Sequence, residues 1–212
     1  MASGLGRGTA LEFPKLEVGN PNARAWERKR ERYPRLAATI ADPIVLTEQS
    51  SGDGRRLKLL GIRVRAERRA ALPFVGLPVG MAANRPAADV SALIEFLDPT
   101  THDALLPRPL GGVWAPDDRS SLIETASRQQ FDPTIDPGQS LDLLLAAKTE
   151  GESSFYGIDA VTGRRLLIPD LTLDVPEVAV HIRLAGQGVT ATVEFKLQNP
   201  GSGIQNFLLT ET

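Results

Sequence analysis

The stretch VAVHIRLAGQGVTATVEFKL, Val178 to Leu197, decides the fold class. Successive side chains of a strand point to opposite faces. Val178, Val180, Ile182 and Leu184 therefore share one face, and Ala179, His181 and Arg183 share the other. After Gly186-Gln187-Gly188 the alternation resumes, with Val189, Ala191, Val193, Phe195 and Leu197 set against Thr190, Thr192, Glu194 and Lys196. Two alternating runs joined by a glycine-containing corner predict an antiparallel hairpin with one apolar face. His181, one of only two histidines in the chain, falls on the outward row.

The same period of two recurs along the chain. In LKLLGIRVRAE, Leu57 to Glu67, the reading turns Ile62, Val64 and Ala66 inward and Arg63, Arg65 and Glu67 outward. In DVSALIEFLD, Val90, Ala92, Ile94 and Phe96 turn inward, and Leu93 and Leu97 make the other face less polar than usual. SLDLLLAAK, Ser140 to Lys148, puts Leu141, Leu143, Leu145 and Ala147 on one face. RLAATIADPIVL is a strand broken at Pro43, as expected of an edge strand or a bulge. Shorter runs at Ser154–Ile158, Arg164–Ile168 and Ile204–Leu209 complete the sheets. Turns fall at DPTTHD (Asp98), DPG (Asp136) and around Gly163. About seven to nine short strands separated by turns predict an all-β domain of two packed antiparallel sheets, with a closed barrel as the alternative. Two long insertions, Arg68 to Ala88 and Pro107 to Gln139, are rich in Pro, Gly and Arg. Insertions of that length are usually functional or poorly ordered.

The domain spans 35–212, and residues 1–34 form an arm and a short basic helix ahead of it. The segment ARAWERKRERYPRL, Ala23 to Leu36, has helix formers and alternating charges, and Pro34 stops it. Its six cations, among them Arg28, Lys29, Arg30 and Arg32, face two glutamates, and Trp26 and Tyr33 lie seven apart on one face. Basic and aromatic together suit a protein groove, or a phosphate backbone or anionic membrane surface. Trp114, in the second insertion, is a candidate ligand contact.

Composition narrows the chemistry. The 212 residues contain no cysteine, which removes disulfides, thiolate metal sites and cysteine nucleophiles. A net charge of -2 gives no overall field to gather nucleic acid or acidic lipid, so any such binding is local. No Gly-x-Ser-x-Gly elbow occurs. The two histidines are 79 positions apart, so no zinc ligand set and no cofactor is expected. Asp98 with Asp103, and Asp132 with Asp136, sit beside prolines, where aspartate caps turns. Asp117-Asp118 suit the opening of a short helix through Leu122 to Arg128. Without a signal peptide or a long apolar run, the expectation is a soluble protein, cytoplasmic by default.

The segments AADVSALIEFLDPTT, IDPGQSLDLLLAAK and VAVHIRLAGQGVTATVEFKL resemble immunoglobulin-like β-sandwich modules of bacterial and archaeal proteins, including the cell-adhesion-related accessory group. The middle segment carries most of the likeness, because such modules turn through Pro-Gly-x-Ser into a core strand, here Pro137, Gly138 and Ser140. The resemblance covers Arg35 to Leu209 and implies a non-enzymatic binding or scaffold role, with a protein partner engaged through the arm or a sheet face. Binding of the basic helix to nucleic acid or an anionic membrane through residues 23–35 is the alternative. Unpaired edge strands also allow a homodimer.

Overall fold

The computed structural model describes residues 34–47, 55–67, 85–115, 132–160 and 172–212. They form twelve strands: β1 (Arg35–Ile40), β2 (Ile44–Thr47), β3 (Arg56–Glu67), β4 (Ser91–Leu97), β5 (Leu110–Gly111), β6 (Val113–Trp114), β7 (Ser140–Thr149), β8 (Phe155–Gly157), β9 (Thr172–Leu173), β10 (Glu177–Gly186), β11 (Val189–Gln198) and β12 (Leu208–Glu211). The expected helix, which begins at Ala23 and is stopped by Pro34, lies outside the described residues, and β1 begins at Arg35, where the alternating period starts. The strand at Arg164–Ile168, the helix at Leu122–Arg128 and residues 68–84 also fall outside them.

The strands make two antiparallel sheets packed as a sandwich. The seven-stranded sheet runs β1-β3-β7-β8-β9, with β2 also paired to β3 and β6 also paired to β7. The five-stranded sheet runs β12-β11-β10-β4-β5. The hairpin read from Val178 to Leu197 is β10 and β11, paired from Glu177↔Gln198 to Gly186↔Val189 around a turn at Gln187 and Gly188. Gly188 takes φ 74°, a left-handed conformation that glycine adopts without steric cost.

Between the sheets lies one core. Val64, Ile62, Leu143 and Leu145 come from one sheet, and Ile94, Phe96, Val180, Ile182 and Leu197 come from the other. A smaller apolar cluster, including Leu57, Leu59, Val113, Leu144 and Ala147, forms on the opposite face of β3 and β7. Ala147 therefore does not share a face with Leu143 and Leu145 as expected. The pairing of β3 with β7 shifts at Leu60/Gly61, Leu60 opposing Ala146 and Gly61 opposing Leu144, so Leu145 is an extra residue on β7. One extra residue reverses the phase of everything beyond it. Gly61 sits at this irregularity because a Cβ there would lie 2.5 Å from the Leu143 carbonyl oxygen.

The insertion expected over Pro107 to Gln139 contributes β5 and β6, and Ile135 within it bridges to Ala87. Among the described residues, no helix is long and apolar enough to cross a membrane.

Candidate functional site

The unusual chemistry gathers where the β11–β12 connection, residues 199–207, folds across one end of the sandwich. There β3 and β7 place Lys58 and Lys148 directly opposite each other in the ladder. Both follow the inward phase, Lys58 in step with Leu60 and Ile62, and Lys148 in step with Ala146 beyond the bulge. Lys58 is 6% exposed and Lys148 is 0% exposed.

Buried charge is costly unless it is hydrogen-bonded. Lys58 Nζ donates to the Ile204 carbonyl at 3.0 Å and to the Gln205 carbonyl at 3.4 Å. Lys148 Nζ donates to Asn199 Oδ1, to the Gly201 carbonyl and, at 3.4 Å, to the Ser153 carbonyl. Its cation also lies 5.8 Å from the centre of the Phe207 ring. The acceptors are neutral oxygens, so burial dominates and pushes both lysines below the ordinary value. For Lys148 the charges of Asp174 and Glu152 oppose that push without cancelling it.

Asn199 is itself buried and fully engaged. Its Nδ2 donates to the Ser153 carbonyl at 2.7 Å and to the Val175 carbonyl at 3.3 Å, and its backbone N–H donates to the Pro176 carbonyl at 2.7 Å. The Phe155 ring centre lies 5.5 Å from that of Phe207 and 6.2 Å from that of Phe96, tilted against both, so an apolar aromatic wall closes this end of the core.

The outer face of the five-stranded sheet is a second feature. Leu93 stands 46% exposed on β4, beside Glu95. Across the ladder His181 opposes Glu95 on one side and Glu194 on the other. Glu95 accepts from Arg183 at 3.0 Å and lies 3.5 Å from His181 Nδ1. Lys196 pairs with Glu177 at 2.7 Å further along.

A third polar group holds the β4–β5 end. Asp159, whose side chain is 0% exposed, accepts from Arg108 at 2.5 Å and from the Gly111 N–H at 2.9 Å. That one carboxylate fixes the start of β5.

Of the residues singled out in the sequence, Trp26, Arg28, Lys29, Arg30, Arg32 and Tyr33 lie outside the described residues. Trp114 is 6% exposed, paired with Leu143 in β6 and packed into the main core. Asp98 does turn work: its carboxylate accepts the N–H groups of Thr101 and Thr100, which hold it below the usual carboxylate range. His102 follows at φ 59° in the same turn. Among the described residues no group of three or more His, Asp or Glu side chains is arranged to hold a metal. The lysine pair was missed by the sequence reading. Its only signal is Lys58 standing in the inward row of β3.

No protein-family model matches the chain, and no curated protein and no solved structure matches it either.

Proposed function

We propose that the chain is a non-enzymatic interaction or scaffold module of immunoglobulin-like architecture, and that it binds a protein partner through the outer face of its five-stranded sheet. The observation that carries this reading is the face itself, where three long adjacent strands present Leu93 to solvent beside the charged row Glu95, His181 and Arg183. On such a face a partner would cover Leu93 with an apolar surface and leave Glu95, His181 and Arg183 at the polar rim.

The strand order supports the immunoglobulin-like part. With β1, β3, β4, β7, β10 and β11 taken as A, B, C, E, F and G, the orders β1-β3-β7 and β11-β10-β4 read A-B-E and G-F-C. The polar clusters support the non-enzymatic part, since Asp98, Asp159, Lys58 and Lys148 each bind nearby backbone groups. The amino-terminal arm, with Trp26 and Tyr33, is the other surface on which the same partner would dock.

The test is affinity capture from source-cell extract with three proteins: the full chain, the double variant Leu93→Asp/Arg183→Glu, and a truncation starting at Arg35. A protein lost from the double variant alone supports the sheet face. A protein lost from the truncation alone moves the contact to the arm. Nucleic acid or lipid released by high salt from every protein except the truncation supports binding through residues 23–35 instead. Equal capture by all three, or a saturable turnover, overturns the reading.

A further inference from the structure

We propose that Lys148 and Asn199 form an intramolecular isopeptide bond, a covalent cross-link between β7 of one sheet and the end of β11 in the other. The inference is independent of any partner of the sheet face.

The geometry supplies a nucleophile and an electrophile held together away from water. Lys148 Nζ already contacts the Asn199 carboxamide through Oδ1, and both residues are buried. As an ammonium, Nζ directs its three N–H groups at Asn199 Oδ1 and the carbonyls of Gly201 and Ser153. Once it loses a proton, two N–H groups remain with the Gly201 and Ser153 carbonyls. The lone pair then faces the carboxamide, and attack requires Nζ to move from Oδ1 to the adjoining Cγ. Burial favours that neutral amine.

The electrophile is equally constrained. The two N–H groups of Asn199 Nδ2 are held by the Ser153 and Val175 carbonyls, so the carboxamide cannot turn away. Phe207, Phe155 and Phe96 wall the site with apolar surface. Fixing two reactants in contact replaces a bimolecular encounter by an effective concentration of about 10⁵ M or more. Excluding water removes the competing hydrolysis.

The reaction balances without any co-reactant. Nζ attacks Cγ of Asn199, the Nζ–Cγ bond forms and the Cγ–Nδ2 bond breaks. Nζ gives up two protons overall, Nδ2 gains both, and the side-chain ammonium and carboxamide become one secondary amide and one released ammonium ion. Nothing is oxidised or reduced.

The experiment is mass spectrometry of the full chain, intact and after trypsin. The expected intact mass falls short of the sequence mass by one ammonia. Trypsin should leave Lys148 uncut and give a branched peptide joining residues 129–164 to residues 197–212. Lys148→Met should restore the full mass, and Asn199→Ala should do the same. A shortfall that survives in Lys148→Met would mean an asparagine succinimide elsewhere and would overturn the proposal. So would a wild-type chain of full mass that yields a separate peptide ending at Lys148. The wild-type digest decides the matter even if neither variant folds.

Discussion

Lys58 offers a direct reading of what the buried cations cost, because burial alone moves its titration. In the unfolded chain this lysine keeps its proton up to its ordinary value of 10.5, whereas in the folded protein it releases the proton at lower pH. Between those two values the unfolded state binds more protons, so stability must rise as pH rises through the window. Below the window both states are protonated and the folded protein carries the full penalty of the buried charge. Above 10.5 both are neutral and the gain is complete. One proton's difference gives a slope of at most about 1.4 kcal/mol per pH unit. Lys58→Met keeps the length of the stem and removes the titration. The variant leaves the Ile204 carbonyl, now bonded at 3.0 Å, without its donor, at a cost of about 1–3 kcal/mol that the relieved desolvation of the cation offsets. The assay is urea unfolding of both proteins from neutrality to just above pH 10.5, with stability differences compared at each pH so that other lysines and tyrosines cancel. The wild type should gain on the variant as pH rises. A flat difference, or a wild type that loses ground, would mean that Lys58 titrates at or above its ordinary value, and the desolvation argument would fail.

Four further outcomes follow from the same structure. Ile62→Ala, at a position 0% exposed in the middle of β3, should cost about 2–5 kcal/mol in chemical denaturation. Gly61→Ala should cost about 1–3 kcal/mol, because its Cβ would meet the Leu143 carbonyl at 2.5 Å and force the bulge to shift; an unchanged midpoint would remove the steric reading of that glycine. Asp159→Ala should cost about 1–3 kcal/mol by stranding the Gly111 N–H, and Arg108→Ala should cost a similar amount, because it takes a cationic donor from a carboxylate whose side chain is fully buried. If the cross-link forms, it closes a loop of 51 residues, so Lys148→Met should lower stability by about 4 kcal/mol in the chain-entropy account, seen as a lower midpoint in a scan followed by circular dichroism.

The parts of the fold legible in the sequence are those where each strand keeps one apolar and one polar row. β10 and β11 qualify over ten residues each, with a glycine corner between them. β4 qualifies too, Ala92, Ile94 and Phe96 all being buried, as is Val90 just ahead of the strand. β7 does not, because Leu143, Leu144, Leu145, Ala146 and Ala147 are apolar without interruption and carry no phase. A bulge inside such a run leaves no mark on the sequence, and only the pairing with β3 shows where it falls. β5 and β6 were hidden for another reason: two-residue strands are set by the neighbours they pair with, here β4 and β7, rather than by any local period.

The lysine site escaped notice because the partners of Lys58 and Lys148 are mostly backbone carbonyls, which every residue possesses. Ile204 is 146 positions from Lys58, and Asn199 is 51 from Lys148. A search for opposite charges finds neither. Yet the inward row of β3 reads Lys58, Leu60, Ile62, Val64 and Ala66, and a cation in an otherwise apolar row is a conflict between local pattern and global fold. Such conflicts concentrate where a chain spends stability on something other than packing. A leucine at either lysine position would keep the row apolar but leave the carbonyls of residues 201, 204 and 205 without their donors. The lysines thus tie the β11–β12 connection across the open end of the sandwich, and that tie is what brings the Asn199 carboxamide against an amine that burial disposes to be neutral.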